Sequence, residues 1–280
     1  MSASLTDLIV SIVTELTDIT INIPQFNISL PLLQIIHAIL INYAYRSALR
    51  EAHSNIGWNQ GLFATIVMAA GGGSTVALLR GEPLGILKSN MFFGIYGATY
   101  WLMFSNPYLY QFTQYLFSIP VLQEVLILAD GILRNYAITR VGIEGVGSNP
   151  SLGEDKWVAK IICGTLAGSG GGFWLDTFRL HQEHWTFTTP QFLRSPTIDM
   201  KASFLSTLFY ITTTSPELSS LLGCPYFTKT EAEAWGAVIL SSGLIYKSYV
   251  NKINSVKVQV TPSPTTIVED RHQEKDKKLN

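Results

Sequence analysis

Three long stretches of the chain carry no Asp, Glu, Lys or Arg: Ile19 to Tyr45, Ala52 to Leu79 and Ser89 to Gln123. A helix needs about 20 mainly apolar residues to cross a bilayer. Each stretch is long enough, and the third, too long for one crossing, divides at Asn106-Pro107. The same reading continued along the chain predicts seven spans, over roughly 26–45, 58–79, 87–105, 108–133, 157–178, 200–216 and 232–250. The fourth carries Pro120 and Glu124, the fifth a glycine run and Asp176, and the sixth is short. The pattern is that of an all-α membrane protein.

The flanks read differently. In residues 1–25, Leu5, Leu8, Ile9, Ile12, Val13 and Leu16 recur at helical spacing, which suggests an amphipathic helix lying on the membrane surface; a flexible leader stays open. No basic region precedes them, and Asp7 and Glu15 interrupt the apolar residues, so a cleavable signal peptide is not expected. Residues 26–252 form the seven-span domain. Residues 253–280 are polar, charged and proline-bearing, and read as a disordered tail.

Composition agrees: 14% of residues are charged, against about 25% in an ordinary soluble domain, and mean hydropathy is +0.25. Seven spans put the termini on opposite sides. A cytosolic C-terminus gives that side Arg46, Arg50, Arg179, Arg194, Lys201 and seven more basic residues from Lys247 onward, twelve against seven on the other side. The positive-inside bias favours that orientation. Cys163 and Cys224 are isolated and argue for neither a disulfide framework nor a zinc site.

A repeat runs through the pattern. Twelve residues separate Trp58 from Gly71-Gly72-Gly73, and six more lead to Arg80. Trp157, Gly170-Gly171-Gly172 and Arg179 repeat that spacing. Asn42-Tyr43-Ala44 with Arg46 precedes the first tryptophan, Asn135-Tyr136-Ala137 with Arg140 the second. Each arginine is followed by one further span, ending at Ser105-Asn106-Pro107 or Thr214-Ser215-Pro216. Spans one to three and four to six are therefore two halves, with span seven outside. By parity a three-span unit that follows another is inverted in the membrane. Matched glycine-interrupted helices in inverted repeats point to a solute path near the midplane. Three glycines in a row cost a helix about 1 kcal/mol each relative to alanine, so two broken or kinked helices beside a polar path are expected. Close helix packing through small residues is the competing reading.

Other chemistry is thin. Gly168 is followed four residues later by Gly172, but Phe173 and Trp174 stand where the lysine and hydroxyl of a phosphate-binding loop belong, and the dinucleotide pattern lacks its third glycine. His181-Gln182-Glu183-His184 lacks the remaining ligands of a zinc helix. No catalytic constellation and no metal site is expected, nor a nucleic-acid partner. Asp130 and Arg134 lie on one helical face and can pair, while Lys247 and Asp176 can reach an interface.

From about residue 32 to 250 the sequence resembles the trimeric intracellular cation (TRIC) channels of endoplasmic and sarcoplasmic reticulum. Arg80-Gly81-Glu82-Pro83 stands where the family has Leu-Gly-Glu-Pro, and Gly168-Ser169-Gly170 matches its Lys-Gly-Ser-Gly region. Met200-Lys201-Ala202-Ser203 is similar to its Thr-Lys-Ala-Ser, and Tyr246-Lys247 matches a family lysine. The resemblance implies a homotrimer of an intracellular membrane with a pore in each subunit. That pore conducts potassium ions to balance charge during calcium release, beside the helices of Gly71, Gly72, Gly73 and Gly170, Gly171, Gly172. Lys201, Lys247 and Asp130 are candidate gating or pore charges. It also implies a phosphoinositide lipid at Arg134, Gly168, Ser169 and Gly170. The family's Lys-Glu-Val-x-Arg reads Asp130-Gly131-Ile132-Leu133-Arg134 here, and Ala167 replaces the lysine before Gly168. Two positive charges are absent and one negative charge is new, so weaker lipid binding is expected. A secondary transporter working by alternating access is the alternative function.

Overall fold

The computed structural model describes residues 4–260. Helix α1 (Leu5–Asp18) starts at a reciprocal cap: the Ser4 hydroxyl accepts from the Asp7 amide, and the Asp7 carboxylate accepts from the Ser4 hydroxyl and amide. Those hydrogen bonds hold the Asp7 carboxyl below the usual range. Val13 and Leu16 pack inward on Leu33, Ala129, Ile132 and Ala237, while Leu5, Leu8 and Ile12 stay exposed.

The start of the first expected span is corrected. Strand β1 (Thr20–Ile23) pairs antiparallel with β2 (Ile28–Pro31), placing Ile23 opposite Ile28, so residues 26–31 close a hairpin. The turn uses Pro24 and a left-handed Asn27 at φ 50°, a conformation asparagine tolerates better than most residues. Helix α2 begins at Leu32 and runs to Leu49.

Helices α3 (Trp58–Leu79) and α4 (Asn90–Ser105) follow close to their expected places. The fourth expected span is corrected more heavily. It is divided into α5 (Pro107–Ser118) and α6 (Pro120–Tyr136), bent by 99° at the junction. Pro120 forces this, because the residue before a proline is driven out of the helical region; Ile119 is extended at φ −80°, ψ 111°. Helix α6 continues through a π-helical segment, Ala137–Glu144, into a last turn, α7 (Gly145–Gly147).

The second half continues with α8 (Trp157–Thr177), α9 (Ile198–Thr214), the short α10 (Pro216–Leu222) and α11 (Lys229–Val260). Two compact units divide at Leu244, and the residues of α11 from Ile245 belong to the second. The tail expected from 253 is helical as far as Val260; the rest of it lies outside the described residues. Taken singly, α3 alone among the described residues, with 22 residues and mean hydropathy 1.8, is long and apolar enough to cross a bilayer by those measures. The bent run from Pro107 to Gly147 qualifies as a pair.

Equivalent positions of the two halves make equivalent structures. Asn106 and Ser215 both cap a short helix whose first residue is proline, accepting amide hydrogens from Leu109 and Leu218. Asn42 and Asn135 are both fully buried and both accept a hydroxyl hydrogen bond, from Thr65 and Ser206 respectively. One difference has a local cause. Arg46 follows Asn42 by four residues, whereas Arg140 follows Asn135 by five. A π-helix closes its hydrogen bonds over one more residue than an α-helix, and the π segment lies over this extra residue.

Asn135 also donates to the Glu233 carbonyl at 2.7 Å. Asn135→Ala removes both of these hydrogen bonds from a fully buried site, a loss of about 1–3 kcal/mol. The expected result is a clearly lower thermal unfolding midpoint in detergent, against little change for the exposed Tyr108→Ala.

Candidate functional site

The glycine triplets expected to interrupt α3 and α8 do not do so: both helices run unbroken through them. The expectation of broken helices is corrected to a close crossing. A Cβ on Gly71 would lie 3.3 Å from Gly171 Cα, and one on Gly170 would lie 2.5 Å from Gly72 Cα. A Cβ on Gly72 would meet the carbonyl oxygens of Leu166 and Ala167 at 2.6 Å, and one on Gly171 would strike the Met68 carbonyl oxygen. Gly73 and Gly172 face open space and take no part.

These contacts are reciprocal. With the two triplets aligned, Met68 corresponds to Ala167, so Gly72 on Ala167 and Gly171 on Met68 are one contact made twice. Thr75 likewise corresponds to Trp174, and the two meet directly: the Trp174 indole donates to the Thr75 hydroxyl at 2.8 Å. The crossing has the form of a two-fold interface within one chain.

The opposite side of α8 is equally tight. A Cβ on Gly142 of the π segment would lie 2.6 Å from Gly164 Cα. One on Gly164 would lie 2.7 Å from the Thr207 side chain, and one on Gly168 2.6 Å from Ser203 Oγ and Ile138 Cδ1. Helix α8 is thus held between α3 on one side and the π segment with α9 on the other. The hydroxyls of Ser203 and Thr165 are buried here without a hydrogen-bond partner among the described residues.

Beside this seam lies a chain of ionisable side chains. His37 Nδ1 of α2 is 2.5 Å from Asp130 Oδ1 of α6. Asp130 Oδ2 is 3.6 Å from Arg134 Nη1, one helical turn on. Arg134 Nη2 is 3.8 Å from Asp199 Oδ1 at the start of α9. The same guanidinium donates from Nε and Nη2 to the Gly168 carbonyl, at 2.9 and 2.6 Å. All four side chains are at most 18% exposed. Charges at membrane depth are rare and are paired where they occur; here two acids face one arginine and one histidine.

Sequence reasoning located Asp130, Arg134 and Gly168, and the structure brings them together. Ser169 and Gly170 do not converge on Arg134: the Ser169 hydroxyl donates back to Thr165, and Gly170 faces α3. Ala167 turns its carbonyl to Gly72. Lys201 is exposed on the first turn of α9, and Lys247 lies in the second unit. His37 and Asp199 were missed. A signal for His37 was present, since it precedes Asn42 by five residues as Asp130 precedes Asn135.

Glycine seams between helices, with paired charges held inside the bundle, define a helical membrane protein. A sequence profile described as TRIC channel matches residues 59–224, more than half of the chain. The chain belongs to the TRIC channel family, a family of ion channels and not of enzymes. Comparison with curated proteins finds no match. Among solved structures, a TRIC counter-ion channel studied for its activity in calcium release is similar at TM-score 0.64 and 17% identity. That match covers 86% of this chain and 99% of the other. A trimeric intracellular cation channel from C. elegans with bound Ca2+ matches at TM-score 0.64 and 15% identity, covering 87% and 98%. Its Ca2+-free form matches at 0.58 and 16%, covering 91% and 99%. At these identities the likeness is one of fold.

Gly171→Val drives a side chain into the Met68 carbonyl, and a forced backbone shift of this kind costs about 1–3 kcal/mol or more. Gly172→Ala meets nothing and gains up to about 1 kcal/mol of helix propensity. Thermal unfolding of the two variants in detergent is expected to move in opposite directions. Equal losses would rule out the close crossing.

Proposed function

We propose that the chain is a monovalent cation channel, with potassium its principal ion, in the endoplasmic reticulum. It acts as a homotrimer with one path in each subunit and carries counter-ion current when calcium leaves the store. Its architecture in this reading is seven spans, two inverted three-helix repeats followed by α11, with the C-terminus in the cytosol. The observation that carries it is the reciprocal α3–α8 crossing in a member of a channel family. A contact made twice between matched halves is what inverted repeats produce, and in such folds the solute path lies where the repeats meet. The path runs beside the crossing, because the crossing itself is closed by main chain. Family membership and the related counter-ion channel support the ion and the setting. The excess of basic residues on one side supports the orientation.

The reading includes a weak phosphoinositide site at Arg134. A multiply charged headgroup needs uncompensated cations, and here Asp130 and Asp199 already flank the one arginine. Asp130→Lys is expected to raise phosphoinositide retention through purification several-fold. Retention unchanged from the parent would remove the lipid from this site.

Purified full-length protein in planar bilayers under a potassium chloride gradient tests the function. Discrete steps with a reversal potential near that of potassium are expected. Chloride-selective steps would overturn the reading. Saturable uptake of a solute without steps would replace it with a transporter working by alternating access.

A further inference from the structure

Helix α1 divides into three sectors rather than two. Ile9, Val13 and Leu16, at helical spacing, are half-buried, and the last two pack on Leu33 of α2, Ala129 and Ile132 of α6 and Ala237 of α11. Leu5, Leu8 and Ile12 form the next stripe round the helix and are 63, 53 and 45% exposed. Asp7, Ser11, Thr14 and Asp18 form the third, which is polar and exposed. A helix packed on a core in water needs one apolar stripe, and it faces that core. A second apolar stripe, turned away from the core, requires a second apolar medium.

The hairpin that follows is divided in the same way. Ile21 pairs with Leu30 and Ile23 with Ile28, so four aliphatic side chains share one face, while Asn22 and Ser29 share the other. Leu30 packs on Ala38, Ile95 and Tyr96, whereas Ile21 and Ile28 are about half exposed. Ile19, whose carbonyl accepts from the Leu32 amide between helix and hairpin, is exposed as well. These six bare side chains fall short of the roughly 800 Å² per partner that a stable protein contact buries. Lipid has no such requirement, and the apolar surface of α6 leads to it. Leu128, Ala129 and Ile132 lie beneath α1, and the same stripe continues as Val125 and Val121, which are exposed.

Charge selects the kind of lipid. From Ser4 to Pro31 the chain has Asp7, Glu15 and Asp18 and no Lys, Arg or His. Asp7 is held in the cap with Ser4, and Glu15 accepts from the Ser11 hydroxyl at 2.8 Å, so both acids stay on the polar side. Surface helices drawn to anionic lipid carry Lys and Arg on that side. An acidic one is repelled by it. The orientation proposed above agrees, since it places α1 away from the cytosolic leaflet and that leaflet's negative surface potential.

We propose that α1 and the β1–β2 hairpin form a membrane-surface anchor seated in the headgroup layer of an uncharged leaflet. Leu5, Leu8, Ile12, Ile21 and Ile28 lie in lipid, and the acids of α1 lie in water. The anchor rests on the membrane class of the fold and not on conduction, so a protein that passes no potassium still has it.

Full-length protein is spin-labelled at Leu8→Cys, Ile21→Cys or Ser11→Cys in a Cys224→Ser background, Cys163 being buried, and reconstituted in phosphatidylcholine bilayers. Collision with oxygen reports lipid, and collision with a nickel chelate reports water. The labels at Leu8 and Ile21 are expected about 5–10 Å below headgroup level, and the label at Ser11 in water. With phosphatidylglycerol mixed into the bilayer the two deep labels are expected to move toward water, and raised salt to return them, because salt screens surface charge. Leu8 and Ile21 labels as open to nickel as the Ser11 label would overturn the anchor. Labels shielded from both reagents would overturn it in favour of a second copy covering this face. Depth that stays constant or increases in phosphatidylglycerol would overturn the uncharged leaflet.

Discussion

The distance between two packed helices is set by the side chains that separate them, and α3 and α8 have removed those side chains. At Gly71, Gly72, Gly170 and Gly171 main chain lies against main chain, near enough that a single added methyl meets a carbonyl or Cα. In lipid this matters more than in water, because association there relies on van der Waals contact and on polar groups rather than on expelling water. Close backbones also bring Cα–H groups to carbonyl oxygens, a weak but repeated attraction. The helix-propensity loss of about 1 kcal/mol per glycine is offset by contact that no larger residue permits. It does not interrupt either helix.

With α8 fixed against α3, its other side is free to be used, and the π segment uses it. An extra residue between Asn135 and Arg140 widens the helix locally, and widening displaces carbonyls from their ordinary partners. One of these, Val141, accepts from Arg80 at 2.7 Å, tying the end of α3 to the far side of α8. The same segment lays Gly142 on Gly164. The matching arginine of the second half, Arg179, is exposed and sits at φ 47°. The halves are therefore alike at the crossing and unlike at their edges. The crossing therefore meets different chemistry at its two ends.

How much of this the sequence discloses depends on the kind of force involved. Long apolar runs disclosed α3 to the residue and α4, α8 and α9 to within a few, because apolar length is a composition property. Asn106-Pro107 was read as a break, whereas Ile119-Pro120 was passed over inside a run of otherwise apolar residues, and the 99° bend was lost. The hairpin was hidden the same way: Thr20-Ile21-Asn22-Ile23 alternates, but hydropathy averaged over a span conceals alternation. The glycine triplets were found, yet whether a glycine weakens a helix or admits a neighbour depends on what lies opposite, which no single segment states. His37 and Asp199 escaped because each is remote in sequence from Asp130 and Arg134.

The cluster around Arg134 is where this chain departs most from its family resemblance. A lone arginine in a bundle of this kind requires an anion, and either a lipid headgroup or a carboxylate meets the need. Here Asp130 lies one turn from it and Asp199 reaches it from α9. An internal anion is always present and is tied to the helices that carry it, whereas a lipid comes and goes with its concentration. In this chain the carboxylates are part of the helices that Arg134 joins, so the Arg134–Gly168 contact is held within the protein itself.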